Sequence, residues 1–106
     1  MPEHIQSLLS DLKNGLSNIY GRRLKGVFLF GSYARGEQDH ESDVDILIVL
    51  THYHQYRAEI QRTSELVSTL SLEYGSSISR VFLEEESYLK DDTPLLRNVR
   101  QEAIAV

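Results

Sequence analysis

The sequence predicts a small α/β (or α+β) domain in which helices and strands follow the order α-β-β-α-β-α. The length of 106 residues corresponds to one domain. Apolar residues recur at helical spacing in two long segments, which predicts two amphipathic helices. Three short apolar runs lie between glycine-rich or polar segments, which predicts three strands. The directions of these strands stay open at this point.

The first helix is predicted over residues 3–20, because one apolar stripe runs through the segment and Gly21 follows it. Gly15 lies inside this helix, at a cost of roughly 1 kcal/mol. Residues 24–30 then form a continuous apolar run, typical of a strand that is covered on both faces. The stripe of the helix consists of Ile5, Leu8, Leu9, Leu12, Leu16 and Ile19.

A polar, glycine-bearing segment follows, with room for one helical turn that starts at Ser32. The second buried strand is predicted over residues 44–50. A second long helix is predicted over residues 53–74 with Gly75 at its end, and a third strand over residues 78–83. Thr93 and Pro94 are a helix start, with threonine as the cap and proline at the first helical position.

Composition narrows the classes of function. The net charge of −5 argues against general nucleic-acid binding, which usually needs a basic surface. No apolar run reaches the length of about 20 residues that crosses a bilayer, and no signal-peptide pattern opens the chain. The absence of cysteine fits a cytoplasmic protein. The basic residues near the start of the first strand and near the end of the chain are expected to be solvated: Arg22, Arg23, Lys25, Arg97 and Arg100.

The candidate site combines a Gly-Ser turn with two aspartates. Gly31 and Ser32 follow a strand, where a glycine lets the backbone approach a phosphate and free N–H groups can bind it. Arg35 is near enough in sequence to add a positive charge. Asp43 and Asp45 alternate, so both side chains point to one face, about 7 Å apart. Paired carboxylates beside a phosphate site are ligands that suit Mg²⁺.

Other metal patterns in the sequence are weaker. His52 and His54 lack a third ligand nearby, which favours an ordinary surface loop. The acidic run that precedes the second strand lacks the glycine that an EF-hand loop needs.

Gly31-Ser32, ten further residues and then Asp43-Val44-Asp45 resemble the signature of the DNA polymerase β-like nucleotidyltransferases. The resemblance is to their smallest members, the minimal nucleotidyltransferases (MNT), and is strongest over residues 24–50. It implies the small nucleotidyltransferase fold, with a short mixed sheet flanked by helices. It also implies that the Gly31-Ser32 turn binds ATP or another NTP, with Mg²⁺ on Asp43 and Asp45, for transfer of NMP to a hydroxyl.

One part of the family pattern is missing. The family usually has a third carboxylate on the neighbouring strand, but this chain has Ser79 there, or Arg80 if the register slips. The glutamates at 84–86 follow too late and are expected to be a solvated edge.

The resemblance implies a partner as well as a reaction. Small MNT proteins are frequently antitoxins that are paired with a HEPN-domain toxin. They block this toxin, in some systems by adding AMP to one of its tyrosines. Because the chain has no room for an acceptor-binding domain, the acceptor surface must come from such a partner, a second copy of this chain or a docked substrate. Two alternatives remain: a degenerate MNT protein that only binds its partner, and a free-standing enzyme that modifies a small molecule.

Overall fold

The computed structural model describes residues 1–106, and it has four strands and five α-helices. The helices are α1 (Glu3–Tyr20), α2 (Ser32–Arg35), α3 (Tyr56–Tyr74), α4 (Glu85–Lys90) and α5 (Pro94–Glu102). The strands are β1 (Leu24–Phe30), β2 (Val44–Leu50), β3 (Ile78–Glu84) and β4 (Ile104–Ala105). A 3₁₀ turn over Gly21–Arg23 joins α1 to β1. No helix is both long enough and apolar enough to span a membrane.

The strands form one mixed sheet in the order β3-β2-β1-β4. Strand β1 runs antiparallel to both β2 and β4, whereas β2 and β3 are parallel and are connected through α3. The parallel pair needs such a crossover, because a short turn can only reverse the chain. The mixed sheet and flanking helices confirm the predicted fold class.

Helices cover both faces of the sheet. The main core lies on one face, where α1 and β1 and β2 contribute fully buried side chains such as Leu12, Leu29 and Ile46. A smaller core lies on the opposite face, where Val99 of α5 packs with Leu47 and Val49 of β2. Strand β2 is therefore buried on both sides, as its continuous apolar run predicted.

Gly15 has a packing role that explains its place inside α1. A Cβ atom at this position would lie 2.5 Å from Cδ1 of Leu66, which belongs to α3. The missing side chain therefore lets α1 and α3 approach closely. The propensity cost of a glycine inside the helix is offset by the contact between the two helices.

The predicted order lacked two elements that the structure contains. Glu84 ends β3, an edge strand of the sheet, and Glu85 and Glu86 begin α4, where Glu86 is exposed as expected of a solvated edge. The chain also closes with β4, which adds a strand to the free side of β1. Helix α3 begins at Tyr56 rather than at residue 53. Elements as short as α4 and β4 are formed by tertiary contacts and not by periodicity.

Candidate functional site

The Gly-Ser turn lies where β1 meets α2. Gly31 has φ +77° and ψ −156°, a backbone conformation that is essentially restricted to glycine. It is the N-cap of α2, and it supplies no side chain to accept from the first amides of that helix. The N–H of Arg35 donates to the Gly31 carbonyl at 3.1 Å, which closes the single helical turn. Gly36 then ends α2 in the left-handed conformation.

Asp45 packs directly against this turn. It pairs with Phe30 across the antiparallel β1–β2 ladder, so its side chain lies beside the residue that follows Phe30. A Cβ atom added at Gly31 would lie 2.2 Å from Oδ2 of Asp45. Only glycine leaves room for the carboxylate at this point. The sequence spacing therefore corresponds to a physical contact between the turn and the second aspartate.

Asp43 is brought to the same site by a compact loop. The carboxylate of Asp39 accepts a hydrogen bond from the N–H of Glu41 at 2.8 Å, and the Asp39 N–H donates to Oγ of Ser42 at 3.0 Å. The N–H of Val44 then donates to the carbonyl of Ser77 at 2.8 Å, where β2 joins the sheet. The loop holds Asp43 two residues before Asp45, on the same side of the strand.

The charges at this site oppose each other. Burial raises the pKa of the Asp45 carboxyl, and the negative charge of Asp43 raises it further. Arg35 lowers the pKa of Asp45, while Glu102 raises it. The ionised form of Asp45 is therefore unfavourable in the free chain. A bound cation would relieve it, because a positive charge between two carboxylates favours their charged forms.

The carboxylate oxygens of Asp43 and Asp45 are ligands that suit a hard cation such as Mg²⁺, but the protein offers only these two carboxylates as ligands at the site. Two carboxylates beside a glycine turn match the way in which Mg²⁺ is held, by one or two carboxylates with water and phosphate oxygens. No group of three or more histidine, cysteine, aspartate or glutamate side chains converges on one point. Asp43 and Asp45 would therefore supply the protein's share of the ligands.

The position next to Asp45 on β3 has no carboxylate. The parallel register pairs Asp45 with Ser79, as predicted from the sequence, and it pairs Ile46 with Arg80. Arg80 points to the opposite face, where its Nε donates to Oγ1 of Thr63 at 2.8 Å. The register slip that would bring Arg80 to the site is thus wrong.

Glu102 was missed by the sequence analysis, and it is close to the site. Its carboxylate accepts from Nη1 of Arg35 at 2.8 Å, and its side chain is only 15% exposed. Glu37 accepts from the same guanidinium, at 3.3 Å from Nε. Arg35 is therefore held by two carboxylates in this structure. Nothing in the sequence marks Glu102, because only the fold brings the end of α5 to this edge.

We expect the substitution Glu102→Gln to lower the pKa of Asp45. The substitution removes the negative charge of Glu102, which raises the pKa of Asp45. It also releases Arg35, whose positive charge lowers the pKa of Asp45. The measurement is the ¹³C carboxyl titration of Asp45 by NMR. Glu37→Gln is the matched control, because it removes the other partner of Arg35 without a charge that acts on Asp45. An unchanged or higher pKa in Glu102→Gln would contradict the expectation.

The comparisons with known proteins agree with this geometry. The family model described as a nucleotidyltransferase domain matches residues 9–103. A relative in Methanocaldococcus jannaschii, named "Putative protein adenylyltransferase MJ0604", is 36% identical over 98 residues, which cover 92% of each chain. The structure titled "Structure of putative minimal nucleotidyltransferase" has a TM-score of 0.61 at 24% identity, covering 95% of this chain and 94% of the other.

A chain from the complex of the tri-AMPylated Shewanella oneidensis HEPN toxin with its MNT antitoxin has the same fold. Its TM-score is 0.53 at 19% identity, and the match covers 92% of this chain and 70% of the other. The family match spans most of the sequence, and it includes the turn and both aspartates. The chain belongs to the nucleotidyltransferase domain family.

Proposed function

We propose that this chain binds a nucleoside triphosphate with Mg²⁺ at the Gly31–Ser32 turn and transfers its NMP group to a hydroxyl of a partner protein. The observation that carries the proposal is the contact between Asp45 and Gly31. Through this contact the Asp45 carboxylate, whose pKa is raised, lies against a turn in which no side chain at Gly31 blocks a ligand. Asp43 is close enough for its charge to act on Asp45. A cation and a phosphate would each meet a complementary group there.

Each residue has a distinct part in this proposal. The Gly31–Ser32 turn would hold the β- and γ-phosphates through backbone N–H groups and the Ser32 hydroxyl. Arg35 would add a guanidinium after exchanging a carboxylate partner for phosphate oxygens. Asp43 and Asp45 would hold Mg²⁺, which supplies charge neutralisation at the triphosphate.

The proposed reaction is a displacement at the α-phosphorus. The acceptor oxygen forms a bond to this phosphorus, and the bond to the oxygen of the β-phosphate breaks, which releases pyrophosphate. Positioning and charge stabilisation supply most of the rate in reactions of this kind. The hydroxyl proton leaves to solvent or to a group of the acceptor, because Ser79 lies where β3 could have supplied a carboxylate base.

The partner proposed is a HEPN-domain toxin, and the nucleotide proposed is ATP. The M. jannaschii relative is named as a protein adenylyltransferase, and the S. oneidensis complex pairs an MNT antitoxin with an AMPylated HEPN toxin. We propose that the acceptor hydroxyl belongs to this partner, as the name of the relative and the composition of the complex suggest. The chain would then act as the antitoxin.

The test is to incubate the chain with Mg²⁺, α-labelled ATP and a HEPN-domain protein from the same organism. We expect label on the partner and a stable complex. Asp43→Asn is the negative control for transfer, because it removes one carboxylate at an exposed position and leaves the fold intact. Absence of both label and complex would overturn the proposal.

A second function is favoured by the register of β3. Ser79 lies opposite Asp45 and no group of three ligands is present, which favours a neutralising partner that binds without transfer. This alternative predicts a complex and toxin neutralisation that both survive Asp43→Asn/Asp45→Asn. Loss of neutralisation in the double variant would exclude it and favour the enzyme.

A further inference from the structure

A pocket lies at the end of β2 that is opposite to the two aspartates of the candidate site. Its volume is about 400 Å³, within the range of small-molecule sites. His52, which lines it, follows the C-terminal end of β2, whereas Asp43 precedes the N-terminal end. A strand rises about 3.3 Å per residue, so the pocket is roughly 20 Å from the candidate nucleotide site. The two sites are therefore separate.

The pocket is positively charged in a chain whose net charge is −5. Arg23 and Arg62 line it with one carboxylate, Glu59, between them. Oε1 of Glu59 accepts from Nε of Arg62 at 3.0 Å and from the hydroxyl of Tyr20 at 2.8 Å. Oε2 of Glu59 lies 4.0 Å from Nη2 of Arg23. One carboxylate thus serves two guanidinium groups, which leaves one positive charge.

The two arginines also retain hydrogen-bond donors. Nη2 of Arg23 donates to the carbonyl of His52 at 3.0 Å and Nε is buried without a partner, so Nη1 is the donor of Arg23 that is left for a ligand. Arg23 is therefore not the fully solvated side chain that the sequence analysis expected. Arg62 meets Glu59 through Nε, so both terminal amino groups of its guanidinium remain for another acceptor. Such an arrangement suits an oxyanion with several acceptor oxygens.

Two histidines and a glutamine form other walls of the pocket. The rings of His52 and His54 meet edge to face, with centroids 5.7 Å apart, and both line the pocket. Gln55 caps α3 without a side-chain hydrogen bond, which leaves its amide group for a ligand. The space is larger than a lone phosphate needs, and the imidazole faces can pack against an organic ring or sugar.

We propose that this pocket binds a small phosphorylated organic molecule, with the phosphate on Arg23 and Arg62 and the organic part against His52 and His54. The ligand is separate from the Mg²⁺-bound nucleotide of the other site. It needs no metal ion, because the guanidinium groups can donate to the phosphate oxygens directly.

Histidine signals provide a local test with AMP as the probe. The chain has four histidines, and only His52 and His54 line this pocket, while His40 lies in the loop before Asp43. AMP is titrated into the Asp45→Asn variant in EDTA, which disables the nucleotide site. We expect saturable shifts of the His52 and His54 ring signals, with His4 and His40 unchanged. Adenosine without phosphate should leave all four signals in place.

Two substitutions on α3 complete the test. Arg62→Gln should weaken AMP binding about tenfold or more, because it removes a charged donor to the phosphate. Arg57→Gln is the matched control, an exposed arginine outside the pocket, and should leave the affinity unchanged. The proposal is overturned if no saturable shift occurs, if Arg62→Gln binds AMP as the parent does, or if His40 shifts instead. Binding of an acidic peptide but not of AMP would assign the pocket to a protein partner and would also overturn it.

Discussion

Replacing Gly31 with alanine is expected to destabilise the fold by about 3 kcal/mol or more and to abolish the proposed nucleotide binding. The backbone at Gly31 has φ +77° and ψ −156°, where any other residue costs on the order of 1–3 kcal/mol. The added Cβ would also lie 2.2 Å from Oδ2 of Asp45, so the carboxylate or the turn must move. Either movement separates the two groups that form the candidate site.

Gly36→Ala is the matched control for this substitution. Gly36 also has a positive φ, of +71°, but nothing lies within 4 Å of a Cβ added there. It should cost only the conformational penalty, about 1–2 kcal/mol. Thermal unfolding measures both variants, and 1 kcal/mol corresponds to roughly 4–8 °C in a domain of this size. Equal losses of Tm in the two variants would show that the contact with Asp45 carries no weight.

The pattern of apolar residues in the sequence predicts much of the fold. The stripe that includes Leu8 and Leu12 lies on the buried side of α1, and the apolar run from Val44 to Leu50 is the strand covered on both faces. Gly75 ends α3 in the left-handed conformation, where a glycine carries no steric penalty. These elements are long enough for local sequence to determine them.

The parts that escaped prediction depend on distant contacts. Helix α4 has six residues and β4 has two, so neither offers a full period to recognise. Strand β4 forms only because Leu29 and Phe28 present a free edge to it. The ion pair of Arg35 with Glu102 joins residues that are 67 positions apart. No local pattern could place Glu102 beside the candidate site.

In the candidate site, too, some features follow from local sequence and others depend on distant contacts. The alternation of Asp43 and Asp45 follows from strand geometry, and it predicted which residues lie together. Ser79 was expected opposite Asp45, and the parallel register places it there. The electrostatic state of Asp45 was beyond prediction, because burial and Glu102 both contribute to it. Spacing predicts neighbours, whereas the charge balance requires the packed structure.

Replacing Asp45 with asparagine is expected to stabilise the free chain while it removes the proposed activity. The folded chain raises the pKa of Asp45 through burial and through the charge of Asp43, so the ionised carboxylate opposes folding at neutral pH. Asparagine keeps the shape and removes the charge. Transfer should fall by about 100-fold or more, because a proposed metal ligand is lost.

Thermal unfolding of the parent and Asp45→Asn separates these two effects. Without ligand at pH 7, Asp45→Asn should have the higher Tm. The difference should shrink as the pH falls through the folded-state pKa of Asp45, because the parent then becomes neutral at this position too. With Mg²⁺ and ATP at 100 times Kd the parent should gain about 2.7 kcal/mol, and the variant should gain little.

Asp92→Asn is a control of opposite sign. The hydrogen bond from Arg97 lowers the pKa of Asp92, so the ionised form of that carboxylate favours folding and its removal should lower Tm. It lies outside the candidate site and should leave the gain from Mg²⁺ and ATP intact. If Asp45→Asn also lowers Tm, Asp45 is a structural residue that the fold needs. If instead Asp45→Asn raises Tm and removes the gain from Mg²⁺ and ATP, the negative charge of Asp45 destabilises the free chain. Only a bound cation then makes this charge favourable.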